Sequence, residues 1–339
     1  MSLELKRTAS TLGDLHAYYE QEIREGRTTE AAATSEFAAL LMRGIKIAMD
    51  RGHKVNLGVA SGIWDRQVSE KGSNESEEFS GVGKLNGTNF DVVLEQEEFP
   101  RMGFTHDRAR IPIRKFGGAV EFSRELLRGD KTGRLNRLAE SAGEVAALRK
   151  DKVFVDKYFN NYSSTTIYNG QAVFSNNHPN VTGSGTNSSN DNLMALGSVT
   201  RANMESVRQE VADWRDMNGE IADVEITDMY LASNQIEEAL RVVGSTAHPE
   251  TSFSSGVKNV QQGFATLHEW KRLSATTWYI KTNVPGLVML EGEGGAGLQI
   301  ERMPDNTGDA FWRDLAGVFK LRDVWGHGVI DWRWGAKCA

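Results

Sequence analysis

The sequence predicts an α+β fold, and three observations carry it. An amphipathic pattern from about Asp130 to Phe159 reads as one long helix, a strand-like stretch from Ile111 to Phe122 leads into it, and short helices alternate with strands afterwards. With 339 residues and 39% hydrophobic content, the chain has material for two or three domains with real cores.

The elements follow in order. Phe37, Leu40, Leu41, Ile45 and Ala48 fall at spacings of three and four, one face of an N-terminal helix over 30–50, with Arg51-Gly52 as its glycine C-cap. The polar stretch from Ser69 to Phe79 has no periodicity and predicts a loop or tether. Extended segments broken by turn residues between Phe90 and Phe122 predict a long hairpin. Pro100 and Pro112 each remove a ladder donor, so these strands belong at an edge or on a protrusion. An isolated hairpin is marginal in water and needs a surface to lie on.

In the long helix, Leu135, Leu138, Ala142, Val145, Leu148, Val155 and Phe159 form the apolar stripe, and Asp130 is placed as N-cap. Gly133 and Gly143 weaken it, each by up to about 1 kcal/mol relative to Ala. Packing along its length must therefore hold it. An Asn-, Ser- and Gly-rich tract, 160–192, predicts a long irregular loop.

Thr200 to Asp216 is helical, with Met204, Val207, Val211 and Trp214 on one face and Met217-Asn218-Gly219 as its end. A strand at Asp228 to Ala232 and a helix from Asn234 to Val243 come next. Strands at Trp278 to Lys281, Gly286 to Leu290 and Leu298 to Met303 lead to an aromatic, strand-like close from Ala310 to Ala339. Of its four tryptophans, Trp312, Trp325, Trp332 and Trp334, most are expected in the core.

Several functional classes lack their signatures. No run approaches the roughly 18 consecutive apolar residues of a membrane helix, and the N-terminus has no secretory apolar core. Cys338 is the only cysteine, so no intrachain disulfide or thiolate cluster can form, and a reducing compartment is expected. The Asn-x-Ser/Thr matches at Asn74, Asn161, Asn180 and Asn187 are read as chance. Seven scattered histidines show no metal-ligand spacing, and neither a nucleophile elbow nor a phosphate loop is present. Gly292, Gly294 and Gly297 satisfy G-x-G-x-x-G, but the LQIERM that follows alternates like a strand. A glycine-rich hairpin is expected there, and no cofactor.

Charge is unevenly distributed. The net charge of −7 argues against tight wrapping of nucleic acid, yet 69–98 carries −6 and 108–150 carries +6. Such opposed segments can pair between copies. The intersubunit candidates are Glu95, Glu97 and Glu98 on one side and Arg108, Arg110, Arg114 and Lys115 on the other. Arg128, Lys131, Arg134 and Arg137 form a basic face on the long helix, which also reads as an ordinary solvated face.

The strand, the turn Ser123-Arg124-Glu125-Leu126-Leu127 and the long helix together resemble the major capsid proteins of tailed bacteriophages with the HK97-like fold. The tract Gln171 to Asn180, the helix end Asp216-Met217-Asn218-Gly219, the strand Trp278-Tyr279-Ile280 and the closing Asp331-Trp332-Arg333-Trp334 with Gly335 and Lys337 are most similar to the Mu-like branch.

The resemblance implies an N-terminal arm (1–72) and an extended loop hairpin with flanks (73–120, its hairpin at about Leu85 to Gly118). It further implies a peripheral domain with the spine helix (121–165 and 300–339) and an axial domain (166–299). It implies hexamers and pentamers closing into an icosahedral head around double-stranded DNA, held by weak non-specific contact, with no catalytic residues and no membrane. Separate scaffold, protease, portal and decoration proteins are implied partners, and assembly in the host bacterial cytoplasm is expected. An encapsulin-like compartment and a hydrolase without a recognisable motif remain the alternatives.

Overall fold

The computed structural model describes Gln21, residues 43–54, 58–80, 92–95, 97–99, 108–123, 134–179, 190–216, 219–246, 258–274, 276–302 and 315–339. The expected positions Phe37, Leu40, Leu41, Pro100, Arg124 to Asp130 and Trp312 lie outside them. The chain divides into two compact units: 1–58, 114–152 and 295–325 make the first, and 59–113, 153–294 and 326–339 the second.

In the first unit, helix α1 (43–54) packs on helix α2 (Arg134–Val155). The interface is built from small residues. Ala139 is fully buried, and Cβ atoms added at Gly143 or Gly52 would run into the Met49 or Glu140 carbonyl oxygens. Helix backbones therefore touch here, which only glycine permits without a shift. Gly52 is not a C-cap: α1 runs on to residue 54. Close approach replaces the expected end.

The predicted apolar stripe on α2 is corrected. Val155 and Phe159 are buried, but Leu138 is 41%, Val145 63% and Leu148 39% exposed. Ala139, Gly143, Ala147 and Phe154 form the buried face instead, because close helix packing selects for small side chains that hydrophobicity undervalues. Beyond Val155 the helix widens into a π turn, Asp156–Asn160.

Strand β4 (Arg114–Ser123) runs antiparallel to the long β11 (Leu315–Val329), and β10 (Gln299–Arg302) lines the other side of β11. Ile45, Ala48 and Met49 of α1 join Phe122, Phe319, Leu321, Ile300 and Ala139 in one core, with Phe122 and Phe319 edge-on at 5.6 Å. Burying each such aliphatic or aromatic side chain contributes about 1.5–3 kcal/mol.

In the second unit, β1 (Asp65–Val68) runs parallel to β9 (Leu287–Glu291). A five-stranded sheet has the order β5 (Leu193–Met194), β12 (Gly335–Cys338), β8 (Trp278–Thr282), β6 (Ile226–Leu231), β7 (Thr266–Glu269). Helix α3 (Arg201–Ala212) joins its core. Thr200 caps the helix, its Oγ1 accepting from the Asn203 N–H at 3.2 Å, and Met204, Val207 and Val211 are buried beside Trp214 and Trp332. The helix stops at Ala212, short of the expected Asp216, and Trp214 reaches the core from the turn. A short helix α4 (Ile236–Ala239) continues into a π turn.

Two further expectations change. The segment read as a tether holds strand β2 (Ser76–Ser80), antiparallel to β3 (Arg108–Pro112). Among the described residues the expected Phe90–Phe122 hairpin is not seen: 92–95 and 97–99 are not strand, β3 pairs with β2, and β4 pairs with β11. Composition misled here, because Glu77 and Glu78 are strand-poor residues whose solvated edge tolerates charge. Likewise Glu293–Gly295 is a turn between β9 and β10, which do not pair with each other, and not a hairpin. Gly294 and Gly295 take positive φ in that turn, and Gly297 does so just after it.

Candidate functional site

The β2–β3 stem holds its own charges in register. Glu78 lies opposite Arg110, and its carboxylate accepts from the Arg108 guanidinium at 3.4 Å, both side chains exposed. One predicted intersubunit cation thus has a partner in its own chain, worth at most about 1 kcal/mol in water. Arg110, Arg114 and Lys115 are exposed; in β4, Arg114 is in register with Trp325 and Lys115 with Val324. Next to Arg114 and Lys115 on β4, Phe116 stacks on Trp325 of β11 at 3.9 Å, which stiffens this strand pair.

Beyond the stem, Glu95, Glu97 and Glu98 are all exposed, and the Glu97 carboxylate accepts from the Leu94 N–H at 3.0 Å. Interleaved with them are exposed apolar side chains, Val92 at 83%, Leu94 at 69% and Phe99 at 78%. Single exposed apolar residues are ordinary; a cluster marks an interaction surface.

Of the predicted basic face on the long helix, Arg137 is exposed on α2, Arg134 opens the helix, and Arg128 and Lys131 lie outside the described residues. Lys150, counted among the basic residues, is buried, its Nζ 2.8 Å from Asp323 of β11. The sequence missed this pair because its members lie far apart in the chain.

Residues 108–338 match the family model for the phage capsid protein. The chain belongs to the phage capsid protein family. It is a structural major capsid protein of the virion and not an enzyme. Among curated proteins nothing matches. The capsid chain's fold, a mixture of helix and sheet, is similar to that of cyanophage P-SCSP1u, at 11% identity over 80% of this chain and 85% of that one (TM-score 0.52). It is similar also to the mature capsid of bacteriophage PhiM1, at 10% identity over 83% and 86% (TM-score 0.51). For the capsid of a native GTA particle the values are 11% over 83% and 89% (TM-score 0.50).

The polar clusters inside the capsid subunit serve its packing. His268 on β7 meets Asp228 on β6 at 2.8 Å and stacks on Tyr230 at 4.9 Å, tying two parallel strands together. Burial alone would raise the Asp228 carboxyl, but hydrogen bonds from Thr227 and His268 carry it below its usual value. His178 donates from Nε2 to Asn192 Oδ1 at 2.9 Å, accepts at Nδ1 from Asn169 at 3.0 Å, and stacks on Trp332 at 4.6 Å. Its burial pushes the imidazole pKa down to about 4, so it is neutral there. Among the described residues no group of three or more His, Cys, Asp or Glu side chains could hold a metal ion, and no helix is long and apolar enough to cross a membrane.

Proposed function

We propose that copies of this major capsid protein form hexamers and pentamers of an icosahedral head, in an HK97-like arrangement of the Mu-like type, enclosing double-stranded DNA. The family match over 108–338 carries this reading. The exposed apolar residues Val92, Leu94 and Phe99 support it, because a neighbouring copy would remove them from water. In this assignment 1–72 is the arm, 73–120 the extended loop and its flanks, 121–165 with 300–339 the peripheral domain, and 166–299 the axial domain.

Glu95, Glu97 and Glu98 then face basic residues of an adjacent copy, drawn from Arg108, Arg110, Arg114 and Lys115. Arg128, Lys131, Arg134 and Arg137 act in assembly first and in DNA contact second. With a net charge of −7, contact with packaged DNA is weak and non-specific. A separate scaffold, protease, portal and decoration proteins complete the head, and the host cytoplasm is where it assembles. Size-exclusion chromatography with negative-stain microscopy of the purified chain tests this. Shells, rings or capsomers are expected; a monomer at every concentration and salt overturns it.

A further inference from the structure

We infer that the ammonium of Lys337 and the phenol hydroxyl of Tyr162 form a binding site for an oxyanion, a carboxylate or a phosphate. The site stands on the subunit's own geometry and does not depend on the proposed assembly.

Lys337 lies on β12, inside the five-stranded sheet, in register with Leu193 of β5 on one side and Tyr279 of β8 on the other. The residue is only 8% exposed, and its Nζ sits 3.8 Å from the centre of the Tyr162 ring. That ring is itself held in place. Tyr162 opens a tight 3-10 turn, Tyr162–Ser164, its carbonyl accepting from the Thr165 N–H at 3.2 Å, and its ring packs on Phe174 at 5.9 Å. The ammonium is therefore fixed against an ordered aromatic face.

It lacks what the other buried cations have. Lys150 meets Asp323 at 2.8 Å, and the Arg333 guanidinium donates to Asp331 from Nε at 2.9 Å and from Nη2 at 2.6 Å. Cations that lie over rings elsewhere also reach an oxygen: Lys157, over Tyr158, donates to the His327 carbonyl at 3.1 Å, and Arg208, over Phe264, donates to Gln261 at 3.5 Å. For the Lys337 Nζ the described residues supply neither a carboxylate nor a carbonyl.

The ring offsets only part of the cost of taking an ammonium out of water. Nor does the neighbouring Tyr279 balance the charge, because burial pushes its phenol up to about 12 and keeps it neutral. An anion brought from outside the described chain supplies the missing half of the pair.

Donor chemistry sets its class. The ammonium offers three N–H donors and no acceptor, and the Tyr162 hydroxyl also meets no described hydrogen-bond partner. Both donors belong to one lysine–tyrosine contact, so a compact anion with two or more oxygens can accept from both, in charge-assisted bonds. A cation or an apolar ligand would leave these donors unmet.

The test uses the full chain in buffer free of phosphate and carboxylate, with sodium phosphate or sodium acetate then added at constant ionic strength. Phosphate at ten times its dissociation constant is expected to shift the folding equilibrium of the wild type about tenfold, read as a rise in the urea midpoint. Lys337→Met keeps the buried stem but not the charge, and is expected to show no such rise. Tyr162→Phe keeps the ring on Phe174 and under the ammonium, and is expected to need several-fold more phosphate for the same rise. It keeps the site testable should Lys337→Met fail to fold.

Two sources of the oxyanion are separated by assembly. If an acidic side chain of a second copy supplies it, Lys337→Met raises the concentration needed for assembly at least about tenfold; if a free anion supplies it, that concentration is unchanged. No rise in the wild type with either anion, or the same rise in wild type and variants, overturns the site. Because subunit stability is read without any shell, that failure is distinct from a failure of the proposed assembly.

Discussion

Gly143 of α2 lies against the backbone of α1 at Met49, and a Cβ added there would also come within 2.9 Å of the His53 nitrogen. Helix propensity alone says that Ala at this position should stabilise by up to about 1 kcal/mol. The contact reverses the sign, since both colliding atoms are backbone and cannot swing away. Gly143→Ala is expected to cost about 1–3 kcal/mol by overpacking. A fall in the urea midpoint checks it, with the exposed Ser141→Ala as a control that leaves the midpoint unchanged or raised.

Lys150 and Asp323 join α2 to β11 inside the first unit, 2.8 Å apart and both nearly inaccessible. Removing one partner strands a buried charge, so Lys150→Met or Asp323→Leu alone is expected to cost about 3–5 kcal/mol. The paired replacement leaves no charge behind and should end closer to wild type than either single change. Denaturant unfolding of the three variants measures this, and a double variant as damaged as the sum of the singles would refute it.

These two contacts show where the sequence was legible. Local pattern placed α3, β6, β8, β9 and β10: α3 shows the spacing of one buried helix face, while β8 and β9 are short apolar runs buried almost throughout. The burial face of α2 was not legible, because Leu138, Val145 and Leu148 look like core in one dimension while Ala139, Gly143 and Ala147 look like filler. A small residue at every fourth position was the available signal.

The Asn-rich tract is irregular over its described residues, as expected, but it holds a buried cluster that composition does not show. Asn169, Asn190 and Asn192 are buried, and Asn192 alone accepts from the Ser175 N–H and donates to the Val173 carbonyl. Composition reads such residues as solvated loop; hydrogen bonds to a distant backbone make them core. Of the candidate surfaces, the charges were legible from composition. Their setting was not, since Arg108 finds Glu78 only once β2 and β3 pair.

His178 gives stability a defined pH dependence. Burial holds its pKa at about 4 in the folded chain, against 6.5 for a free imidazole. Between those values the unfolded chain binds the proton and the folded chain does not. Stability from this group is therefore fully present above about pH 6.5 and falls as the pH drops through 4. The full loss is up to about 3 kcal/mol, at 1.36 kcal/mol per pKa unit. Asp191 and Glu210, whose carboxyls burial raises, contribute with the opposite sign, so the slope of the wild type alone does not isolate the histidine. His178→Gln does: it keeps a polar side chain near Asn192 but cannot titrate. The stability gap between wild type and variant is expected to be widest near pH 7 and to narrow steadily toward pH 4. A gap that stays constant across that range, measured by denaturant unfolding at each pH, would show that the buried imidazole is not held neutral.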